Sequence, residues 1–149
     1  MEFRLLHTEV PLIRFDKLEL NEGSGAKEPN PEASYKLGLD VYPDAHNQNM
    51  FAVLFDMELV HHEEFKLHLK FVAWFETSEP LNEAEVRSPL ARINAPAIAF
   101  PYLRSFVTLL TLNTGFRPAI LPAINFIKMY EDLKVAEKQG NDGGSTLLK

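Results

Sequence analysis

The chain contains no cysteine. That removes disulfides, thiol nucleophiles, thiolate zinc sites and iron–sulfur clusters together, and it fits a reducing compartment such as the cytosol. Basic charge is not in excess: 15 Lys and Arg stand against 21 Asp and Glu, a net charge of −6. Nucleic-acid binders present a basic face, so that partner class is not expected. Glycine is sparse, at seven residues, and no Gly-x-Gly-x-x-Gly or Walker loop is present. Gly-x-Ser-x-Gly and His-Glu-x-x-His are missing as well, which leaves no motif for nucleotide binding, acyl transfer or zinc hydrolysis. Met1-Glu2-Phe3-Arg4 carries an early acid and no apolar run, so no signal peptide is read there.

What is present suits one ordinary domain. A chain of 149 residues, 46% hydrophobic and 24% charged, is long enough to bury a core and has the average make-up of a soluble protein. Charge is unevenly spread, however. Between residues 93 and 127 the only charged side chains are Arg104 and Arg117. A membrane span needs about 20 consecutive apolar residues, whereas this block is broken by Pro96, Pro101, Pro118 and Pro122 and by both arginines. Direct membrane insertion is therefore not expected.

Periodicity sets out the elements. Residues 3–20 are apolar but irregular, with a short strand expected over 12–20. Residues 21–31, with Gly23-Ser24-Gly25, Pro29 and Pro31, read as a loop. Residues 34–42 alternate, with Tyr35, Leu37, Leu39 and Val41 on one side, as in a half-buried strand. Met50–His61 and Phe65–Thr77 alternate likewise, and short links between the three predict an antiparallel meander with one apolar face. Residues 78–98 form a crossover containing Pro80, Pro89 and Pro96. A helix is expected over 100–113, with Pro101 in its first turn and Asn113 and Gly115 at its end. Residues 115–122 are an extended loop. A second, amphipathic helix runs from about 125 to 138, with Phe126, Met129, Tyr130, Leu133 and Ala136 in its stripe. Residues 1–139 thus read as one domain and 140–149 as a flexible Gly/Ser-rich tail. Strands followed by helices predict an α+β fold: an antiparallel sheet with two C-terminal helices packed on one face.

Two features ask for a partner. The first helix is apolar on two sides: Leu103, Phe106, Val107 and Leu110 make one stripe, Leu109 and Leu112 another. One sheet covers one side, so a second subunit is expected on the other; burial by the domain's own loops is the competing reading. The second feature is Phe71-Val72-Ala73-Trp74-Phe75, apolar on both strand faces. Trp74 with Leu81, Phe116, Ile120 and Leu121 would make an apolar groove, the mark of a binding surface. The alternative is that the crossover simply covers Trp74. Among candidates for chemistry, His61, His62 and His68 offer a weak metal site at most, against a solvated turn. No metal, cofactor or catalytic residue is assigned, and the chain is not read as an enzyme.

The block Asn94-Ala95-Pro96-Ala97-Ile98-Ala99-Phe100-Pro101-Tyr102-Leu103-Arg104 resembles the start of the first long helix in the SecB family of bacterial protein-export chaperones. The family signature there is Pro-x-x-Leu-Phe-Pro-Tyr-Ala-Arg. Gly115-Phe116-Arg117-Pro118-Ala119-Ile120-Leu121-Pro122-Ala123-Ile124-Asn125-Phe126 is similar to the family's Gly-x-Phe-Pro-x-Leu-x-Leu-x-Pro-Val-Asn-Phe run, and Tyr130 keeps its spacing from Phe126. The resemblance implies a four-stranded antiparallel sheet with two helices, assembled as a homotetramer, a dimer of dimers, in the bacterial cytoplasm. It implies a holdase for unfolded preproteins that works without ATP and delivers them for export, or else a dedicated chaperone of a toxin–antitoxin module that guards an antitoxin. The client groove would comprise Trp74, Phe75, Tyr102, Phe116, Ile120, Leu121 and Phe126. The subunit interface would use Phe106, Leu109, Leu110, Leu112 and Asn113. The family's acidic Ser-Phe-Glu-x-Pro segment is absent, with Phe15-Asp16-Lys17-Leu18 roughly in its place, and His68 stands where a SecA-contacting Glu is found. Asp40, Asp56 and Glu58 are the residues left to form an acidic patch for SecA.

Overall fold

The structure, a computed structural model, describes residues 1–19 and 33–139. The loop expected over 21–31 and the tail expected over 140–149 lie outside the described residues. Four strands form one antiparallel sheet, β1 (Phe3–Lys17), β2 (Ser34–Pro43), β3 (Met50–His61) and β4 (Phe65–Thr77), in the order β1-β4-β3-β2. The meander β2–β3–β4 matches the sequence expectation, and β3 and β4 keep the bounds read from the alternation. Phe51 faces Phe75, Phe55 faces Phe71 and Leu59 faces Leu67 across the β3–β4 ladder. All six are buried, so the odd-numbered residues of both strands form the floor of the core.

β1 departs from expectation. Instead of a short strand over 12–20 it spans Phe3–Lys17. Its register against β4 slips between Leu5 and His7 and again between Glu9 and Leu12. Each slip adds one residue to β1, as a β-bulge does. By register Phe3 and Leu5, then Thr8, then Ile13 and Phe15 stand opposite Thr77, Phe75, Ala73, Leu69 and Leu67; of β1, Phe3, Leu5, Val10 and Phe15 pack against the core, while Thr8 and Ile13 are exposed. Parity changes twice along one strand, and a period of two cannot be read through it.

The β3–β4 turn is closed by a 2.9 Å bond from the Glu64 amide to the His61 carbonyl. Its central residues, His62 and Glu63, have φ of 48° and 58°. This is the hand that matches strand twist, although neither residue is the Gly or Asn that takes it at least cost. His61 is buried, its ring 5.2 Å from that of Phe65 and 4.2 Å from that of His62. Neither of its ring nitrogens has a hydrogen-bond partner. Burial, foremost, and the neighbouring His62 push its pKa below the ordinary 6.5 against the pull of Glu64, while Arg117 acts both ways, its charge lowering the pKa and its backbone raising it.

On the core side lie α1 (Glu83–Val86), a single π turn (Leu90–Asn94), α2 (Ala95–Asn113) and α3 (Phe126–Gln139). The crossover over 78–98 is thus more ordered than its prolines suggest. Asn82 accepts from the Glu85 amide at 2.9 Å while the Glu85 carboxylate accepts from the Asn82 amide at 2.7 Å, a reciprocal cap. Helical geometry then enters α2 through the π turn, where the Ala95 amide reaches back to the Leu90 carbonyl. α2 begins five residues before the expected start at Phe100, and Pro101 lies inside it instead of in its first turn. The chain leaves α2 through Gly115 at φ 85°; a Cβ there would meet nothing within 4 Å, so the left-handed backbone alone calls for glycine.

The helices are fastened to the sheet by three rings. Phe55 of β3 lies 6.0 Å from Phe100 of α2 and 6.3 Å from Phe126 of α3, and Phe100 and Phe126 meet edge to face at 5.5 Å. Ala99, Leu103 and Val107 continue the buried face of α2. By length and composition the run Leu90–Asn113 is long and apolar enough to cross a membrane, but this face is spent on the sheet.

Phe55→Ala removes the ring shared by all three elements, and a loss of about 3–5 kcal/mol is expected from urea unfolding. His61, held neutral, gives a second test. Its folded pKa is depressed, so below pH about 6.5 the unfolded chain takes up a proton that the folded one refuses. Stability should fall with pH from there downward until the folded pKa is reached. His61→Phe should remove that part of the slope in denaturation curves between pH 7 and 5.

Candidate functional site

The loop between α2 and α3 is fixed to its own helix at one residue. Ala119 donates its amide to Thr111 Oγ1 at 2.8 Å, and its carbonyl accepts from Thr108 Oγ1 at 2.9 Å. Thr111 also donates to the Val107 carbonyl at 2.8 Å, so its hydroxyl is fully used inside the core. Further back, Phe116 packs 5.4 Å from Phe65 and 5.9 Å from Phe15. Arg117 Nε lies 3.7 Å from Glu64 Oε1 on the β3–β4 turn. The loop is extended where it is tied, and its side chains alternate. Ala119 and Leu121 are buried at 1% and 4% exposure, whereas Ile120 between them is 74% exposed. A large aliphatic side chain is thereby held in water by a backbone that has no freedom to withdraw it.

α2 shows a second apolar surface. Ile98, Tyr102, Leu109 and Leu112 are all exposed and, at 100° per residue, fall within an arc of roughly 80°. That arc lies opposite the buried Leu103 and Val107. Of the five residues expected at a subunit interface, Leu109, Leu112 and Asn113 are exposed on this side. Phe106 and Leu110 are half-buried on its flank, the Phe106 ring 6.1 Å from Phe71. Asn113 caps from within, its Nδ2 donating to the Leu109 carbonyl at 2.7 Å. The helix is apolar on two sides, as read from the sequence: one side packs on the sheet, and among the described residues Leu109 and Leu112 on the other are exposed.

The seven residues expected in a client groove do not converge within one chain. Tyr102 and Ile120 are exposed, Phe116 is half-buried, and Leu121 and Phe126 are buried. Phe75 is fully buried, stacked at 5.1 Å on Phe51 and 5.5 Å from Phe3. It stands at the end of β4, remote along the strand from the Phe65 that touches Phe116. Trp74, of opposite parity, points from the other face of the sheet. Neither the groove with Phe116 nor cover by the crossover describes it. Its ring stacks on His7 at 6.5 Å and meets Tyr42 edge-on at 6.0 Å, spanning the small Ala52 between β2 and β4.

That outer face is polar and of mixed sign. His7 Nε2 lies 3.0 Å from Glu9 Oε1, and hydrogen bonding to His7, then to Trp74, holds the Glu9 carboxyl below its usual range. Burial, then Glu9 and Asp40, raise the Tyr42 phenol. Asp40, Asp56 and Glu58 do gather on this face, as strand register requires. Asp56 is engaged by His68 Nε2 at 2.8 Å and faces Lys70 Nζ at 4.0 Å, and Glu58 is in register with Lys36. His68 is thus turned to the outer face while His61 lies under the core side, and the histidine trio does not meet. Among the described residues no group of three or more His, Asp or Glu side chains is arranged to hold a metal ion.

Sequence reasoning missed Thr108 and Thr111, which read as ordinary helix residues but carry the loop. The only signal was their i, i+3 spacing on an otherwise apolar helix. It also missed Phe15 and Glu64, whose partners lie far along the chain.

Comparison with known proteins adds family. Residues 17–137 match the family model of SecB, described as preprotein translocase subunit SecB. The protein-export protein SecB of Ralstonia pickettii is 42% identical over 67 residues, 44% of this chain and 39% of that protein. That of Anaplasma phagocytophilum is 29% identical over 116 residues, 76% of this chain and 70% of its own length. With the first of these relatives the match thus spans well under half the relative's length. Among solved structures, the SecB-like chaperone Rv1957 of Mycobacterium tuberculosis, in complex with a ChAD peptide from the Rv1956 HigA1 antitoxin, superposes with a TM-score of 0.61. The match is at 16% identity and covers 82% of this chain and 87% of that one. The sheet order, the two long helices and a family match over most of the described residues agree, and the chain belongs to the SecB family.

Proposed function

We propose that this protein is a holdase, a chaperone that binds unfolded polypeptides on exposed apolar surface without consuming ATP and keeps precursors competent for export. One observation carries the reading. Of the ten large apolar side chains exposed among the described residues, six (Ile98, Tyr102, Leu109, Leu112, Ile120 and Ile127) fall in the nearly uncharged segment from α2 to the start of α3. Scattered exposed apolar residues are ordinary; a concentration in one segment marks a surface that meets another chain. The geometry divides the work. The α2 stripe with Leu109 and Leu112 suits a second copy of the chain, as in a homotetramer built as a dimer of dimers. Tyr102, Ile120 and the flank of Phe116 suit a client, because aliphatic and aromatic contact demands no particular sequence. Trp74, Phe75 and Phe126 stand outside this surface. The reading assigns no catalysis, metal or cofactor, places the protein in the bacterial cytoplasm, and gives it neither nucleic acid nor membrane as a partner.

A second reading, a dedicated chaperone of an antitoxin, uses the same apolar surface. The outer face of the sheet favours giving it weight. There Asp56, one of the three acids available for SecA, is already held by His68 and Lys70. A motor that docks on carboxylates finds fewer of them free.

Light scattering of an aggregating client, without nucleotide, tests the main reading. Stoichiometric protein should suppress aggregation of several unrelated clients. Ile120→Ser and Tyr102→Ser should each weaken suppression, while Trp74→Ser leaves it unchanged. Indifference to all clients but one small partner would replace export with the dedicated role, and no effect on any client would remove the holdase reading. Assembly is a separate matter: Leu109→Arg should lower the solution mass from about four copies towards the single-chain 17.0 kDa, since an unpaired charge at an apolar contact is costly.

A further inference from the structure

The π turn that opens α2 lies against α3, and between them is a cleft of about 220 Å³. Arg87, Arg92, Tyr130, Leu133, Lys134 and Glu137 line it. The four residues of α3 fall at i, i+3, i+4 and i+7, one stripe of that helix. Arg87 closes α1 and Arg92 rides on the π turn. Three cations thus meet one carboxylate, in a chain whose net charge is −6.

The carboxylate does not use them. Among the described residues neither arginine is within ion-pair distance of an acid, and Glu137 is exposed at the rim. Arg92 Nε is buried with no acceptor, although the residue as a whole is half-buried, and a buried charged donor left unpaired calls for a partner. Lys134 is held in place by its contact with the Tyr130 ring, 4.6 Å from the centroid. A π turn, itself uncommon and frequent at functional sites, sets the arginine here.

We propose that this cleft is an anion site for a phosphate group. Two guanidinium forks and an ammonium around one small cavity match the geometry and charge of a phosphate better than those of a single carboxylate. With Glu137 counted, the site carries a net charge of +2, and a phosphate monoester at pH 7 carries about −1.5 to −2. Arg92 Nε gains its acceptor, the Tyr130 hydroxyl adds a donor, and Leu133 forms the apolar wall. The proposal is independent of the holdase reading, since none of these residues belongs to the apolar surface of α2 and the loop.

Titration calorimetry of the full chain with inorganic phosphate and with phenyl phosphate, at ionic strength fixed with chloride, tests it. Both are expected to bind saturably in the millimolar range or tighter. Arg92→Gln should weaken binding roughly ten- to a hundredfold, the effect of one lost charge-assisted contact. Arg87→Gln and Lys134→Gln, both at exposed positions, should each weaken it about tenfold with folding intact, so the test survives should Arg92→Gln fail to fold. Tighter phenyl phosphate binding assigns the site to a monoester, and equal or tighter inorganic phosphate binding to the free ion. No saturable binding of either anion, or binding equal in the wild type and in the Arg87 and Lys134 variants, overturns the proposal. Client suppression should be unchanged in those two variants.

Discussion

Phe55, Phe100 and Phe126 meet at 5.5–6.3 Å, one ring from the sheet and one from each long helix. These rings join β3, α2 and α3 directly within the buried core. Each ring buries a large apolar area, and the edge-to-face contact fixes orientation as well as distance. With Phe100 seated, helical periodicity directs Leu103 and Val107 into the sheet and Tyr102, Leu109 and Leu112 out of it. The exposed stripe of α2 is therefore a consequence of how the core is anchored. A sheet with one covered face and a helix apolar on two sides leaves apolar area exposed among the described residues.

The loop after α2 adds a second constraint of a different kind. Apolar loops collapse when they can, because each buried methylene is worth about 0.8 kcal/mol. Ile120 cannot follow that tendency. The Ala119 backbone is bonded on both sides to Thr108 and Thr111, and Leu121 is buried on the other side. Extended geometry between two inward residues sends the middle one outward. Hydrogen bonds inside the helix thus maintain an exposed side chain outside it. A surface that meets unfolded chains, as proposed, would need that property: apolar contact that persists in the empty protein.

Much of this was legible in the sequence, and the failures have physical causes. The bounds of β3 and β4 are legible because every odd-numbered residue from Phe51 to Leu59 and from Phe65 to Phe75 is apolar. Those of β1 are not, because two bulges change its parity at Leu5 and Glu9. The early start of α2 is hidden by Pro101, which suits a first turn but lies inside the helix, while Pro96 occupies the true first turn and the π turn supplies the entry. Asn82-Glu83-Ala84-Glu85 carried a cap signal that the surrounding prolines obscured. The apolar excess at 93–127 is plain in the sequence. Where Trp74 and Phe75 belong was less plain. Adjacent strand residues face opposite ways, and a list of aromatic side chains near one another in sequence cannot tell which share a face.

The same parity decides how charge is used. Even-numbered residues of β2, β3 and β4 bring Lys36, Asp40, Asp56, Glu58, Lys66, His68 and Lys70 to the outer face, where opposite signs neighbour one another. Interleaved charges are well hydrated and partly cancel, so that face stays soluble without building the strong one-signed potential that draws a charged partner from a distance. Of the two arginines left in the apolar block, Arg117 reaches Glu64 and ties the loop to the β3–β4 turn. Charge in the block is thus scarce where apolar side chains stand exposed, and the arginine that stays in its loop holds that surface in position.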